Sequence, residues 1–129
     1  IKTIRIEALT MIEMASRQIL PASLAYVRKV ADTVASLNAA GADSSFVKEE
    51  LDKLVSLTSS LKTYIDTLGA KLEEVDTHEG DSLEHARAYK DVIIPIMNEL
   101  RAAADKLETI VDASLWPIPT YGDLLFGVV

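Results

Sequence analysis

Apolar residues recur every three or four positions through most of this chain, and the recurrence is cleanest in the middle. Val47, Leu51, Leu54, Leu61, Ile65, Leu68, Leu72 and Val75 fall on alternating steps of four and three, with Thr58 interrupting the series. Ala86, Tyr89, Ile93, Ile96, Leu100, Ala103, Leu107 and Ile110 repeat the rhythm, and Val92, Met97, Ala104 and Val111 widen that stripe. A looser series, Leu9, Ile12, Ile19, Val27, Val30, Val34 and Leu37, has Ser16 and Ser23 at two of its places. A spacing near 3.5 residues is the signature of helices that bury one face against each other.

Punctuation divides the pattern into three helices, expected at about 3–39, 45–75 and 82–113. Gly41 suits the left-handed residue that closes a helix. Asp43, Ser44 and Ser45 offer caps to the second helix, and Asp81 or Ser82 to the third. Asp81 and Glu84 have the spacing of a capping box, with Asp in place of Ser or Thr. Helices of this length run about 45 to 55 Å at 1.5 Å per residue. Short linkers make them antiparallel neighbours. The expected fold is therefore all-α, an antiparallel three-helix bundle of long, proline-kinked helices with an extended apolar C-terminal strap.

Pro21 and Pro95 each follow a pair of large apolar residues inside a stripe. A proline there forfeits a hydrogen bond and clashes with the carbonyl four residues back, that of Arg17 or Asp91, at a cost of about 3 kcal/mol. Kinks that wrap the helices around one another are expected. A break into two helices at Leu20 is the alternative, since the residue before proline avoids the helical region. Gly69, inside the second helix, either permits close approach or frays it locally.

Charge narrows the function classes. The 129 residues carry 13 basic and 20 acidic groups, a net charge of −7. Nucleic acid is an unsuitable partner for such a chain, because affinity for phosphates comes from Lys and Arg. Residues 1–40 sum to +2, 41–80 to −5 and 81–113 to −3, which sets a basic first helix beside two acidic ones. The absence of cysteine excludes disulfides, thiolate zinc sites and thiol nucleophiles, and fits a cytoplasmic location. No run approaches the roughly 18 apolar residues of a membrane span. The sequence begins at Ile1 without an initiator Met and already in helical pattern, so an excised piece of a longer protein is expected.

Catalytic chemistry finds no footing. The five glycines are isolated from one another, so there is no phosphate loop. His78 and His85 lie in and beside an acidic linker with Glu79, Asp81 and Glu84, a composition that holds a metal in principle, but their seven-residue spacing is not a pair on one helical turn. Glu49-Glu50 and Glu73-Glu74 are adjacent pairs and face different directions. No catalytic, cofactor-binding or metal residue is assigned. Residues 114–129 are different in kind, with two prolines, Asp123 as the one charge, and Trp116, Tyr121 and Phe126 among seven aromatics in the chain. Such a strap needs cover, either on its own bundle or on a partner. The candidate interface residues are Trp116, Pro117, Pro119, Tyr121, Leu124, Leu125 and Phe126.

Three strings are more specific than heptads. Ile4-Arg5-Ile6-Glu7-Ala8-Leu9-Thr10-Met11-Ile12-Glu13-Met14-Ala15, leading to Ile19-Leu20-Pro21-Ala22, resembles the start of the C-terminal helical region of type III glutamine synthetases. So do Tyr89-Lys90-Asp91-Val92-Ile93-Ile94-Pro95 with Met97-Asn98-Glu99-Leu100-Arg101, and the ending Trp116-Pro117-Ile118-Pro119-Thr120-Tyr121-Gly122-Asp123-Leu124-Leu125-Phe126. Between about Ala35 and Asp81 only the heptad pattern matches. The resemblance implies a parent enzyme that joins ammonia to glutamate with ATP and Mg or Mn, its active site built upstream at contacts between subunits of a ring. It implies for this piece a noncatalytic, structural or assembly role, with the upstream catalytic domain and neighbouring subunits of a homo-oligomer as partners. The rival is a free-standing helical-bundle adaptor that takes a partner helix in a groove. A third class is a metal- or small-molecule-binding bundle centred on His78 and His85.

Overall fold

The computed structural model describes residues 2–118, and among them there are three long helical stretches and no strand. The first comprises α1 (Lys2–Met14), a π-helical turn at Ala15–Ile19 and α2 (Leu20–Ala39) without interruption. The second is α3 (Ser45–Thr77). The third comprises α4 (Ser82–Ala88), a π turn at Tyr89–Ile93 and α5 (Ile94–Ile110), ending three residues before the expected 113.

The stops and starts are local chemistry. Gly41 has φ +72°, and the Ala42 N–H donates to Leu37 O at 2.9 Å while the Gly41 N–H donates to Asn38 O at 3.1 Å. These are the two bonds of a Schellman motif, which satisfy carbonyls that α2 leaves unpaired. At the start of α4 the Asp81 carboxylate accepts from the Glu84 N–H at 2.8 Å. The α3 start differs from a simple cap. Asp43 Oδ1 accepts from both the N–H and the hydroxyl of Ser45, at 3.0 and 2.6 Å, and these two bonds hold the Asp43 carboxyl below its ordinary range. An Asx turn thus leads the chain into the helix.

Both inner prolines sit in the same local setting. Each follows a five-residue π turn that ends two positions before it, and in each the N–H immediately before the proline bonds five residues back, Leu20 to Ala15 O and Ile94 to Tyr89 O. A π turn carries one extra residue, so the carbonyls that a proline ring would strike are displaced. Leu20 keeps helical angles at φ −60° and ψ −47°, so the chain does not break there. Kinks and π turns share these causes.

The extra residue also explains where the first helix departs from its expected face. Carrying a 3.5 spacing upstream from Ser23 selects Ser16 and Leu9. The structure instead buries Ala15 and Ala8, each one residue earlier, and leaves Leu9 41% exposed. Ala8, Ala15 and Ala22 thus stand seven apart on the inward side. Small side chains at a helix contact shorten the distance between axes. The second helix follows the sequence pattern closely, burying Leu54, Thr58, Leu61, Ile65, Leu68, Leu72 and Val75. Across the core from it come Tyr89, Ile93, Met97, Leu100, Ala103 and Leu107.

The two buried polar residues among those described are handled differently. Thr58 donates its hydroxyl to Leu54 O at 2.7 Å. Ser23 is fully buried and its hydroxyl has no partner among the described residues. An unpaired buried hydroxyl costs about 1 to 3 kcal/mol, and an apolar replacement of similar shape is close to neutral or stabilising. Ser23→Ala is therefore expected to leave the unfolding free energy unchanged or to raise it by up to about 1 kcal/mol in urea titrations. A loss larger than that would mean the hydroxyl is paired.

Candidate functional site

The candidate interface begins where α5 stops. After Ile110 the chain turns on Asp112, whose Oδ1 accepts from the Ser114 N–H at 3.0 Å and from its hydroxyl at 2.9 Å. Backbone bonds from Leu115 N to Asp112 O and from Trp116 N to Ala113 O close the turn. Asp112 Oδ2 accepts from Lys29 Nζ at 3.1 Å, which ties the turn to α2. Leu115, Trp116 and Ile118 then pack against the core, while Pro117 faces solvent. Trp116 is thus half-buried on its own bundle. Pro119, Tyr121, Leu124, Leu125 and Phe126, the remaining candidate interface residues, lie outside the described residues.

The Ser114 N–H, Lys29 and the Ser114 hydroxyl together draw the Asp112 carboxyl down to about 2. A carboxyl depressed on folding stabilises the protein above its unfolded value, near 4, and loses that contribution as pH falls towards the folded value. Asp112→Asn removes the charge but keeps an acceptor. The urea midpoints of wild type and variant are expected to differ at pH 6 and to converge between pH 4 and pH 2. A gap that persists unchanged at pH 2 would show that the carboxylate charge is not responsible.

At the opposite end of the first helix a second polar cluster joins all three helical stretches. Arg5 Nε donates to Asp76 Oδ2 at 2.9 Å, and the Tyr89 hydroxyl donates to Asp76 Oδ1 at 3.0 Å. Burial raises the Tyr89 phenol above its ordinary value, reinforced by the Asp76 carboxylate. Both inter-helix ion pairs among the described residues, Arg5–Asp76 and Lys29–Asp112, take the cation from the first helix. The charge asymmetry of the segments signals this, but the choice of Arg5 and Asp76, 71 positions apart, carries no local mark.

His78 and His85 come together without forming a donor cluster. His85 Nε2 lies 2.9 Å from His78 O, and His78 Nε2 lies 3.7 Å from Glu84 Oε2. Among the described residues no group of three or more His, Asp or Glu side chains is placed to hold a metal ion. No described helix is long and apolar enough to cross a membrane.

A larger concavity, about 630 Å³, lies between the first helix and α5. Ile6, Met11, Met14 and Ile19 form one wall and Leu100 and Ala104 the other. Ile118, from the strap, lines it as well. Among the described residues its polar lining is Glu7, Thr10 and Arg101. Ile6 is 57% exposed there, in a helix whose one buried residue is Ala8.

Residues 1–38 match the glutamine synthetase C-terminal domain. The chain is 30% identical over 97% of its length to a type-3 glutamine synthetase of Dictyostelium discoideum. It is 30% identical over 98% of its length to a glutamine synthetase of Butyrivibrio fibrisolvens, and 22% identical over 95% to one of Bacteroides fragilis. In each case it spans about 18% of the relative's length. No solved structure matches the chain.

Proposed function

We propose, starting from the resemblance of this chain to the C-terminal helical region of type-3 glutamine synthetases, that it is a noncatalytic, structural part of such an enzyme. The observation that carries the reading is an alignment over nearly the whole chain that takes up only 18% of each relative. In this reading the parent ligates ammonia to glutamate with ATP and Mg or Mn bound elsewhere in the longer chain. This piece supports assembly or positions the catalytic part, with neighbouring subunits of a cytoplasmic homo-oligomer as further partners.

The geometry supports a rigid spacer. Arg5 near the start of the first stretch meets Asp76 at the end of the second, and Lys29 late in the first meets Asp112 just past the third. Those pairings favour an up-down-up, antiparallel three-helix bundle, and the π turns before Pro21 and Pro95 are natural places for its helices to bend. A bundle whose interior is filled by Leu, Ile, Val and Ala side chains has mechanical use without an active site.

The test uses the full-length enzyme. Deleting the segment that corresponds to 114–129 is expected to change the particle mass or to lower its melting temperature, read by native mass measurement and thermal denaturation. The 129-residue chain alone is expected to form no glutamine from glutamate, ammonia and ATP. An unchanged particle of unchanged stability, or ligase activity in the isolated chain, would overturn the proposal. The adaptor alternative draws on the groove between the first helix and α5. An upstream reading frame that encodes no catalytic domain would favour it.

A further inference from the structure

We propose that a second copy of this chain covers the outward face of α1, with its own α1 lying antiparallel across Ile6 and Leu9. Because Ala8 rather than Leu9 faces the core, α1 is apolar on both sides. Ile4, Met11 and Ile12 pack against the core, whereas Ile6, Leu9 and Met14 are exposed. A helix that is apolar all round is ordinarily a covered one. The other large apolar residues exposed among the described ones, Leu24, Phe46, Val55 and Leu83, are spread over α2, α3 and α4. Scattered single residues are normal on a protein surface, but three within nine positions of one helix form a patch.

The row that crosses this patch identifies its occupant. Lys2, Ile6, Leu9 and Glu13 are all exposed and stand four, three and four apart, the stepping of a helix seam that meets another helix. With about 3.6 residues per turn, they share the side of α1 that points away from Ala8. The row is also complementary to itself when turned end for end, since Lys2 and Glu13 have the same midpoint as Ile6 and Leu9. A two-fold axis at that midpoint sets Ile6 against Leu9 of the second copy and Lys2 against its Glu13, and each pairing occurs twice.

Charge selects this arrangement over its alternative. A parallel pairing would set Lys2 on Lys2 and Glu13 on Glu13, like charge on like. The Glu13 carboxylate holds Arg17 of its own helix at 3.1 Å and, with two oxygens, can accept a second cation. Area then sets the strength. With 13 residues, α1 is about 20 Å long, and two helices of that length bury less than the roughly 1,200 to 2,000 Å² of a stable complex. The dimer is accordingly weak and reversible, with a dissociation constant on the order of 100 μM. The inference goes beyond the enzyme assignment and stands without it, because every group it invokes belongs to this chain.

Sedimentation equilibrium of the 129-residue chain, from about 10 μM to about 1 mM at low salt, is expected to show monomer and dimer in exchange. Lys2→Glu and Glu13→Lys each place like charges together at both ends of the contact and are expected to weaken it roughly tenfold. Combining the two substitutions in one chain restores opposite charges. Mixing the two single variants does the same, because Glu at position 2 of one chain then meets Lys at position 13 of the other. Recovery to within about threefold of wild type is expected in both cases, the mixture giving a heterodimer by native mass measurement.

Leu9→Asp is expected to leave only monomer while the far-ultraviolet circular dichroism stays helical, since Leu9 is exposed in the single chain. A chain that is monomeric at about 1 mM would overturn the proposal. So would a dimer indifferent to the charge substitutions, which would place the contact on another face, or single variants that neither combination rescues.

Discussion

Leu68→Ala is expected to lower the unfolding free energy by about 3 kcal/mol and the melting temperature by roughly 10 °C. Leu68 is wholly buried in the middle of α3, between Ile65 and Leu72, on the face that meets both other helical stretches. Truncation removes its transfer free energy and leaves a cavity that a closely packed helix interior closes only in part. Urea titration with circular dichroism reads the change. The same substitution at Leu83, 59% exposed near the start of α4, serves as the control and is expected to cost less than about 0.5 kcal/mol. A similar loss at both positions would mean that propensity rather than packing holds these helices.

The second large effect concerns the π turn at Ala15–Ile19. Deleting Gln18, an exposed residue of that turn, is expected to convert it to ordinary α-helix while leaving Ala8 on the inward face. Pro21 then meets the carbonyl four residues back inside a regular helix, a conflict worth about 3 kcal/mol. Deletion of Gln18 alone should therefore destabilise the chain by about that amount. Deletion combined with Pro21→Ala should recover most of it, because Pro21 is exposed and contributes little packing. Pro21→Ala by itself should change little, since the extra residue still has to be accommodated. A double variant no more stable than the deletion would show that the turn is held by packing and not by the proline.

These two cases mark out what sequence can tell. At Leu68 the periodicity alone identifies the buried face, because α3 runs from Ser45 to Thr77 without an irregular turn and a fixed step stays in phase over its whole length. In the first helix the same step, carried past the π turn, slips by one residue and selects Leu9 over Ala8. Ala8, Ala15 and Ala22 at intervals of seven were visible, but a rule that ranks residues by size passes over them. For the candidate site, the proline-aromatic strap stood out in composition, whereas its first contacts, Lys29 with Asp112 and the Ser114 turn, depend on the fold. The Arg5–Asp76–Tyr89 cluster was not legible at all, since its members lie in three different helical stretches.

The amino-acid order by itself determined three long helices, their ends at Gly41 and Asp81, a core of aliphatic stripes and the resemblance to type-3 glutamine synthetases. Each of these rests on neighbours within a few positions, where spacing, caps and short strings act directly. Only the tertiary structure decided the slip of the first helix, the unpaired Ser23 hydroxyl, the charge links between helical stretches and the groove that Ile118 lines. Those arise when distant segments compete for the same volume, and the free energy of packing them together is a property of the assembled chain.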